Sequence, residues 1–559
     1  MHATAIGKYV CLAIVDVPDS AAHRIEAAAL ANADLGEAAS LVVRRGDRRG
    51  GRIRQDGSES DRTSIRRLIA GRTAVAMDAQ RVGEALLQSN LQPPGAWIDL
   101  GELASALMPR EFRHNLAQLC RSMSLEPPDP TRDGDGARAT SSVFEALAVR
   151  LDAYDSETLQ RVAALASQAG WTSAGFLYGL VGGRGETSSG DRGERLTSHE
   201  IAFLGARDRP ESLKPTGNAA KVDPARVRGM LQPLGVVSEV LPGFEHRAVQ
   251  VEMAEAVNRA LNDDGWLIAE AGTGTGKSLA YLLPAALRAV QSGERVVVST
   301  NTRALQDQLL TKDIPDIERI VKEAHAETRL VTAALKGRSN SLCLRRWFAA
   351  DRQPAHSPGE AGMRAKVNLW LPITERGDRA ELLLNGEEEG EFHRVSAEGE
   401  ACVPAKCVFQ QRNQCFLYRA RREAEAAHVV IVNHALLLSD LGEGSGVLPS
   451  YDRLIVDEAH HLEDQATKQF GFSVTDASMW ELCDRLVRVD GAVTAGLLMD
   501  AALLIARGAA GGANGRDRER AEEVRSRVAT SLEHAHAVKA RATVFFATLR
   551  DQCLEDGTE

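Results

Sequence analysis

"WLIAEAGTGTGKSLAYLLPAALRAV" occupies residues 266–290 of a 559-residue chain. Residues 266–270 are apolar and read as a short strand, 271–276 as a glycine-rich turn, and 277–290 as a helix. Gly272, Gly274 and Gly276 let backbone N–H groups turn inward around a phosphate, with Thr273 and Thr275 between them. The helix that follows presents its positive end to the same point. Lys277 supplies a charge for β- and γ-phosphates, and Ser278 a hydroxyl for Mg²⁺. Ala271 stands where the common pattern has its first glycine. A glycine turn followed by a chance lysine is the plain alternative, but strand, loop and helix agree in order.

Outward from this stretch the strand–loop–helix pattern repeats. "RVVVSTNTRALQDQLL" (295–310), "HVVIVNHALLL" (428–438) and "DRLIVDEAHHLED" (452–464) each start on a continuous apolar run. Such runs fit a parallel sheet covered on both faces. In the last of them Asp457 follows the strand, where a carboxylate can hold the Mg²⁺ shell, and Glu458 can polarise an attacking water. With the glycine loop, these acids read as a nucleoside-triphosphate-hydrolysing module.

Composition is that of a globular protein, 44% hydrophobic and 26% charged, with a net charge of −10. That balance does not exclude nucleic acid, because binding depends on local basic surface. The length implies two to four domains. No run approaches the roughly 20 apolar residues that cross a bilayer, and the N-terminus lacks a signal-peptide cleavage site, so a cytoplasmic protein without membrane contact is expected. In that compartment clustered cysteines suggest metal ligands. Three of only eight cysteines, Cys402, Cys407 and Cys415, crowd into "EACVPAKCVFQQRNQC" (400–415).

Residues 1–155 alternate strands with helical patterns, including "SVFEALAVRLDAY" with Val143, Leu147 and Leu151 on one face. Residues 182–221 are Gly-, Ser- and charge-rich and read as a flexible linker. After Ser478 the chain is Ala-rich and helical, with "RGAAGGANGRDRER" (507–520) expected as a loop.

Asp457, Glu458, Ala459 and His460 spell the DEAH box of superfamily 2 helicases, and the chain resembles the DinG/XPD group among them. "FEHRAVQVEM" (244–253) resembles the segment that reads adenine, with Gln250 as its hydrogen-bonding residue. "STNTRALQDQL" (299–309) resembles the DNA-backbone-contacting motif Ia, and "VIVNHALLL" (430–438) the segment before the DEAH box. "KGRSNSLC" (336–343) resembles the segment with the first cluster cysteine, although Ser341 replaces the usual aromatic. The resemblance implies a RecA-like P-loop domain over 236–475, ATP and Mg²⁺ as ligands, and Lys277, Asp457, Glu458 and His460 as its catalytic set. It further implies a 4Fe-4S cluster domain over 337–415, held by Cys343, Cys402, Cys407 and Cys415. Their spacing, Cys-x58-Cys-x4-Cys-x7-Cys, leaves zinc and a metal-free loop as rivals, though no C-x₂-C knuckle is present. Lys406, Arg412, Arg419, Arg421 and Arg422 are candidates for a basic path along single-stranded DNA, or for a solvated helix face.

Residues 8–151 resemble, more weakly, a DnaQ-type 3′–5′ exonuclease domain of ribonuclease H-like fold. Asp16 matches its first acid, but Pro18, Val82, Thr131 and Gly136 fall where the other catalytic residues belong. One acid cannot hold two metal ions, so a folded, inactive domain is expected unless Asp78, Asp133 or Asp135 substitute.

The expected architecture is therefore α/β: the exonuclease-like domain (1–155), a helical segment and linker (156–235), the P-loop domain with its cluster insertion, and a helical start of an arch insertion (476–559). No second RecA-like half is read after the DEAH box, so the chain is expected to be the N-terminal part of such a protein, or to be completed by another polypeptide. Two readings remain: a DinG-type ATP-dependent DNA helicase, 5′–3′ by resemblance and acting on single-stranded, forked, D-loop or R-loop DNA, or a non-motor single-stranded nucleic-acid-binding protein. A weaker third is an ATP-linked 3′–5′ exonuclease.

Overall fold

The computed structural model describes residues 9–16, 22–31, 34–44, 59–108, 115–183, 196, 210–217, 221–324, 329–398, 402, 406–442, 446–471, 474–490, 493–510 and 515–555. Most of the expected linker, 182–221, lies outside them. The chain divides into two compact units, Met1–His460 and His461–Glu559.

The first unit opens with β1 (Tyr9–Asp16), β2 (Ala22–Ala31), β3 (Asp34–Arg44), α1 (Glu59–Ile69), β4 (Thr73–Ala76), α2 (Ala79–Gln88), β5 (Trp97–Asp99), α3 (Leu100–Leu107), α4 (Leu116–Ser122) and α5 (Asp135–Asp152). These strands form one sheet in the order β3-β2-β1-β4-β5. β1 runs antiparallel to β2 and parallel to β4, and β4 parallel to β5. Val143, Leu147 and Leu151 of α5 are fully buried beneath it, as their spacing requires. α6 (Ser156–Gln168) and α7 (Ala174–Gly183) follow. Leu159, Val162, Ala163 and Leu177 on these helices share that core, so α6 and α7 pack with this domain.

Next come α8 (Pro224–Met230), α9 (Val236–Val240), α10 (Ala248–Asn262), α11 (Lys277–Ser292), β6 (Val296–Thr300), α12 (Arg303–Gln308), α13 (Ile314–Ala324) and β7 (Thr332–Ala334). After them stand α14 (Leu344–Asp351), α15 (Pro358–Trp370), α16 (Gly386–Val395), α17 (Val408–Gln411), α18 (Phe416–Ala426), β8 (Val429–Asn433), α19 (His434–Leu441) and β9 (Arg453–Val456). The second sheet runs β7-β8-β6-β9, all parallel. Every residue of β6 is buried, as a central strand covered on both faces demands.

Residues 266–270 are not a strand here. No other strand hydrogen-bonds to them among the described residues, and Trp266 and Ile268 stand fully exposed. Apolar, extended sequence becomes a strand only when a neighbour accepts its backbone groups.

The second unit holds α20 (Leu462–Phe470), α21 (Asp476–Leu486), a two-stranded hairpin of β10 (Arg488–Asp490) and β11 (Val493–Ala495), α22 (Leu497–Ala510) and the 41-residue α23 (Gly515–Glu555). The expected loop at 507–520 is helical on both sides of 511–514, which lie outside the description. Ala and Arg favour helix strongly enough to carry it up to the Gly-Gly pair. Among the described residues no helix is long and apolar enough to cross a membrane.

Candidate functional site: a phosphate loop, a strand-end acid pair and a cysteine cavity

Gly274 and Gly276 take φ of +79° and +78°, the left-handed region that the inward turn of the loop needs. Gly276 immediately precedes α11, so Lys277 and Ser278 lie in the helix's first turn. The loop is braced from α10 and its approach. Gln250, buried on α10, donates its amide to the Gly276 carbonyl at 3.0 Å. Arg247 donates to the Gly274 carbonyl, and the Thr275 hydroxyl to the Gly272 carbonyl at 2.9 Å. Gln250 thus touches the loop itself. Arg247 was not singled out from the sequence, because an arginine beside an N-terminal helix turn carries no motif.

Across from the loop, β9 delivers the acids. Asp457 continues the ladder, its N–H donating to the Ser299 carbonyl at 2.8 Å. Glu458 follows with φ of +55°, a left-handed backbone that swings its carboxylate toward the loop. Lys277 Nζ lies 3.0 Å from Glu458 Oε1, and His460 Nδ1 3.6 Å from Glu458 Oε2. Residues 181 positions apart in the chain therefore meet where the two motifs face each other. Burial pushes the Asp457 carboxyl above the usual carboxylate range, the neighbouring Glu458 charge adds to this, and the Lys277 ammonium opposes it. Asp313, just before α13, is also pushed up, chiefly by burial. Ser278 and the buried Tyr281 share this pocket of charge: burial and then the Asp457 charge push the Tyr281 phenol up. Tyr281 and Asp313 went unread in the sequence, since an apolar helix face hides the first and no motif surrounds the second.

Cys343, Cys402, Cys407 and Cys415 line one cavity of about 140 Å³, with Lys406, Phe409 and Tyr418. Cys343 caps α14, Cys407 caps α17 and Cys415 caps α18, so three helix starts converge on it. Burial pushes the Cys415 thiol up, and the nearby Cys343 and Cys402 push it the same way. Among the described residues no three His, Cys, Asp or Glu side chains form a group that could hold a single metal ion. The four thiols share one space. Of the candidate DNA-facing arginines, Arg419 is buried and donates to the Glu375 carbonyl, and Arg421 lies 5.3 Å over the Tyr418 ring.

In the first domain the exonuclease positions are spent on structure. Val82 is buried in α2, the Gly136 N–H donates to the buried Glu26 carboxylate at 2.8 Å, and the Thr131 hydroxyl binds Asp129. Asp78 caps α2, accepting from the Arg81 N–H at 2.9 Å. Asp135 accepts from the Asp129 N–H at 3.4 Å. The side chain of Asp16 lies outside the description, as does Pro18.

A parallel sheet, a glycine loop at a helix start and an acid pair at a neighbouring strand end define the class of P-loop nucleoside-triphosphate domains. Residues 250–340 match the family model described as DEAD/DEAH box helicase. The chain is 35% identical over 256 residues to "ATP-dependent DNA helicase YoaA" of Haemophilus influenzae, covering 44% of this chain and 38% of that protein. It is 38% identical over 277 residues to "ATP-dependent helicase DinG" of Mycobacterium tuberculosis, covering 47% and 41%. It is 34% identical over 263 residues to "3'-5' exonuclease DinG" of Bacillus subtilis, covering 47% and 27%. The chain carries a DEAD/DEAH box helicase domain homologous to the DinG and YoaA helicases. The matched segments span about two fifths of the length of those helicases.

Proposed function

We propose that this chain supplies the nucleotide-binding part of a DinG-type ATP-dependent DNA helicase. The observation that carries the reading is the 3.0 Å pair between Lys277 and Glu458, which brings the phosphate loop and the strand-end acids face to face. In this reading ATP lies on Gly272–Ser278, with Gln250 beside its base. Ser278 and Asp457 hold Mg²⁺, and Lys277 leaves Glu458 for the phosphates. Glu458, so released, polarises the attacking water, and His460 steadies it.

The domain borders of the reading are an inactive ribonuclease H-like domain from 1, a P-loop domain over 236–475, a cluster domain over 337–415, and the start of an arch insertion over 476–559. A second RecA-like domain closes the ATP site and completes the motor on single-stranded, forked, D-loop or R-loop DNA. The cysteine cavity is read as the seat of a 4Fe-4S cluster in preference to zinc. The resemblance to iron–sulfur helicases and the lack of a C-x₂-C knuckle carry that preference, and the four cysteines that share the cavity would be the ligands. When bound, the cluster supplies a rigid cross-link among Cys343, Cys402, Cys407 and Cys415. The exonuclease reading is disfavoured, because Pro18, Val82, Thr131 and Gly136 stand where that family has its catalytic residues.

The test is ATP turnover by the chain with and without single-stranded DNA. DNA-stimulated hydrolysis, by the chain alone or joined to a second RecA-like domain, supports the motor. DNA binding with no turnover under either condition favours the non-motor protein. Iron and sulfide analysis checks the cluster: Cys402→Ser is expected to lose both iron and visible absorbance while retaining nucleotide binding.

A further inference from the structure

α15 is buried along its whole length, Gly359 to Trp370. A helix covered on every side has two neighbours to satisfy. Met363, Val367 and Trp370 pack into the core of the cysteine module, with Leu342 and Leu344 flanking Cys343 and with Phe416 following Cys415. Ala361, Ala365 and Leu369 instead enter the core of the N-terminal domain, beside Leu103, Leu159 and Val162. Its polar residues are paired: Arg364 with Glu360, and Lys366 with Glu388 at 2.6 Å.

Two side chains of the N-terminal domain grip the ends of the helices around Cys343. The Tyr154 hydroxyl donates to the Leu369 carbonyl at 2.7 Å, satisfying an acceptor in the last turn of α15. Arg161 of α6 pairs with Asp351, the last residue of the helix that Cys343 begins. The amide of Asn368, also on α15, donates to the same Asp351 carboxylate at 3.4 Å. Asp351 is nearly buried, so Arg161 neutralises a charge that would otherwise be costly there.

We infer that the N-terminal domain serves as a clamp that holds the cysteine module in its ligand-bearing shape, with Tyr154 and Arg161 as its positioning residues. This gives a use to a domain that lacks most of the exonuclease catalytic residues. Its working surface is the face of α6 and α3 against α15. The inference toward the cluster rests on the cluster reading above, but the clamp on the thiols does not.

The full-length chain is compared with Tyr154→Phe, Arg161→Ala and the double variant, with Arg161→Lys as the conservative control. Far-UV circular dichroism establishes that each is folded. Two readouts follow: decay of visible absorbance in air after anaerobic purification, and native-state thiol labelling of Cys343 in metal-free protein. Removing one buried hydrogen bond or ion partner shifts a local opening equilibrium by roughly tenfold. The double variant is therefore expected to bleach and to label about ten times faster or more than wild type, and Arg161→Lys to recover part of the difference. Wild-type rates in the folded double variant would overturn the clamp. Should the double variant not fold, the two single variants are read by the same criterion. Absence of iron from wild type would overturn the cluster reading alone, and the labelling rates would then decide the clamp by themselves.

Discussion

Each α/β domain ends a parallel strand on a half-buried aspartate, and the two have opposite fates. Asp457 follows β9 and sits beside Lys277 and Tyr281, near an exposed glycine loop. Asp99 ends β5, and its carboxylate accepts from the backbone N–H groups of Ala79, Gly101 and Glu102 at 2.7, 2.7 and 3.2 Å. Burial pushes both carboxyls up, Asp99 to about 6. Burial at a strand end therefore does not make a site. What separates them is the partners: Asp99 spends its lone pairs tying α2 and α3 to the sheet, while Asp457 keeps a mobile-charge neighbour that a ligand can replace.

The sharpest way to break this comparison is at the loop. Gly276→Ala would force a Cβ into the left-handed region and onto the Gln250 amide. Nucleotide affinity is expected to fall by roughly tenfold or more, measured by titration with a fluorescent ATP analogue. An unchanged affinity would mean that the loop geometry does not matter to the ligand.

A smaller effect comes from acid. Because the Asp457 pKa is raised, its proton competes with Mg²⁺ at higher pH than an ordinary carboxylate allows. Mg²⁺-dependent nucleotide binding is expected to weaken on acidification while ordinary carboxylates are still ionised, and Asp457→Asn to flatten that pH dependence. The measurement is nucleotide titration across pH at fixed Mg²⁺.

The smallest effect belongs to Asp99. A carboxyl raised to about 6 in the folded state favours folding while protonated, so its contribution is present at low pH and is lost as pH rises from the ordinary carboxylate range through about 6. Thermal unfolding of the chain is expected to carry this trend, and Asp99→Asn to remove it with nucleotide binding unchanged. A loss of nucleotide binding in Asp99→Asn would erase the distinction between the two acids.

What could be read from the sequence follows from how local each feature is. The phosphate loop lies within eight residues, and its glycines, lysine and serine carry their geometry with them. The parallel strands β6, β8 and β9 announce themselves as apolar runs. By contrast, 266–270 has the residues of a strand but no hydrogen-bonding neighbour among those described, and strand formation is a property of pairs. The brace from Arg247, the left-handed Glu458 and the grip of Tyr154 and Arg161 on α14 and α15 arise from packing between distant segments, which no spacing rule encodes. The four cysteines lie between these cases. Their sharing of one cavity follows from three helix starts meeting, while their candidacy was visible as crowding in a cysteine-poor chain.

The central claim is that loop and acid pair form one nucleotide site switched by Lys277. It is tested most directly by titrating the 559-residue chain with Mg²⁺–ATP beside Lys277→Ala. The account predicts saturable binding by the wild type and a loss of roughly a hundredfold in affinity in the variant, as truncating one member of a charge pair at a binding site costs. Equal binding by the two, or none by the folded wild type, would contradict it.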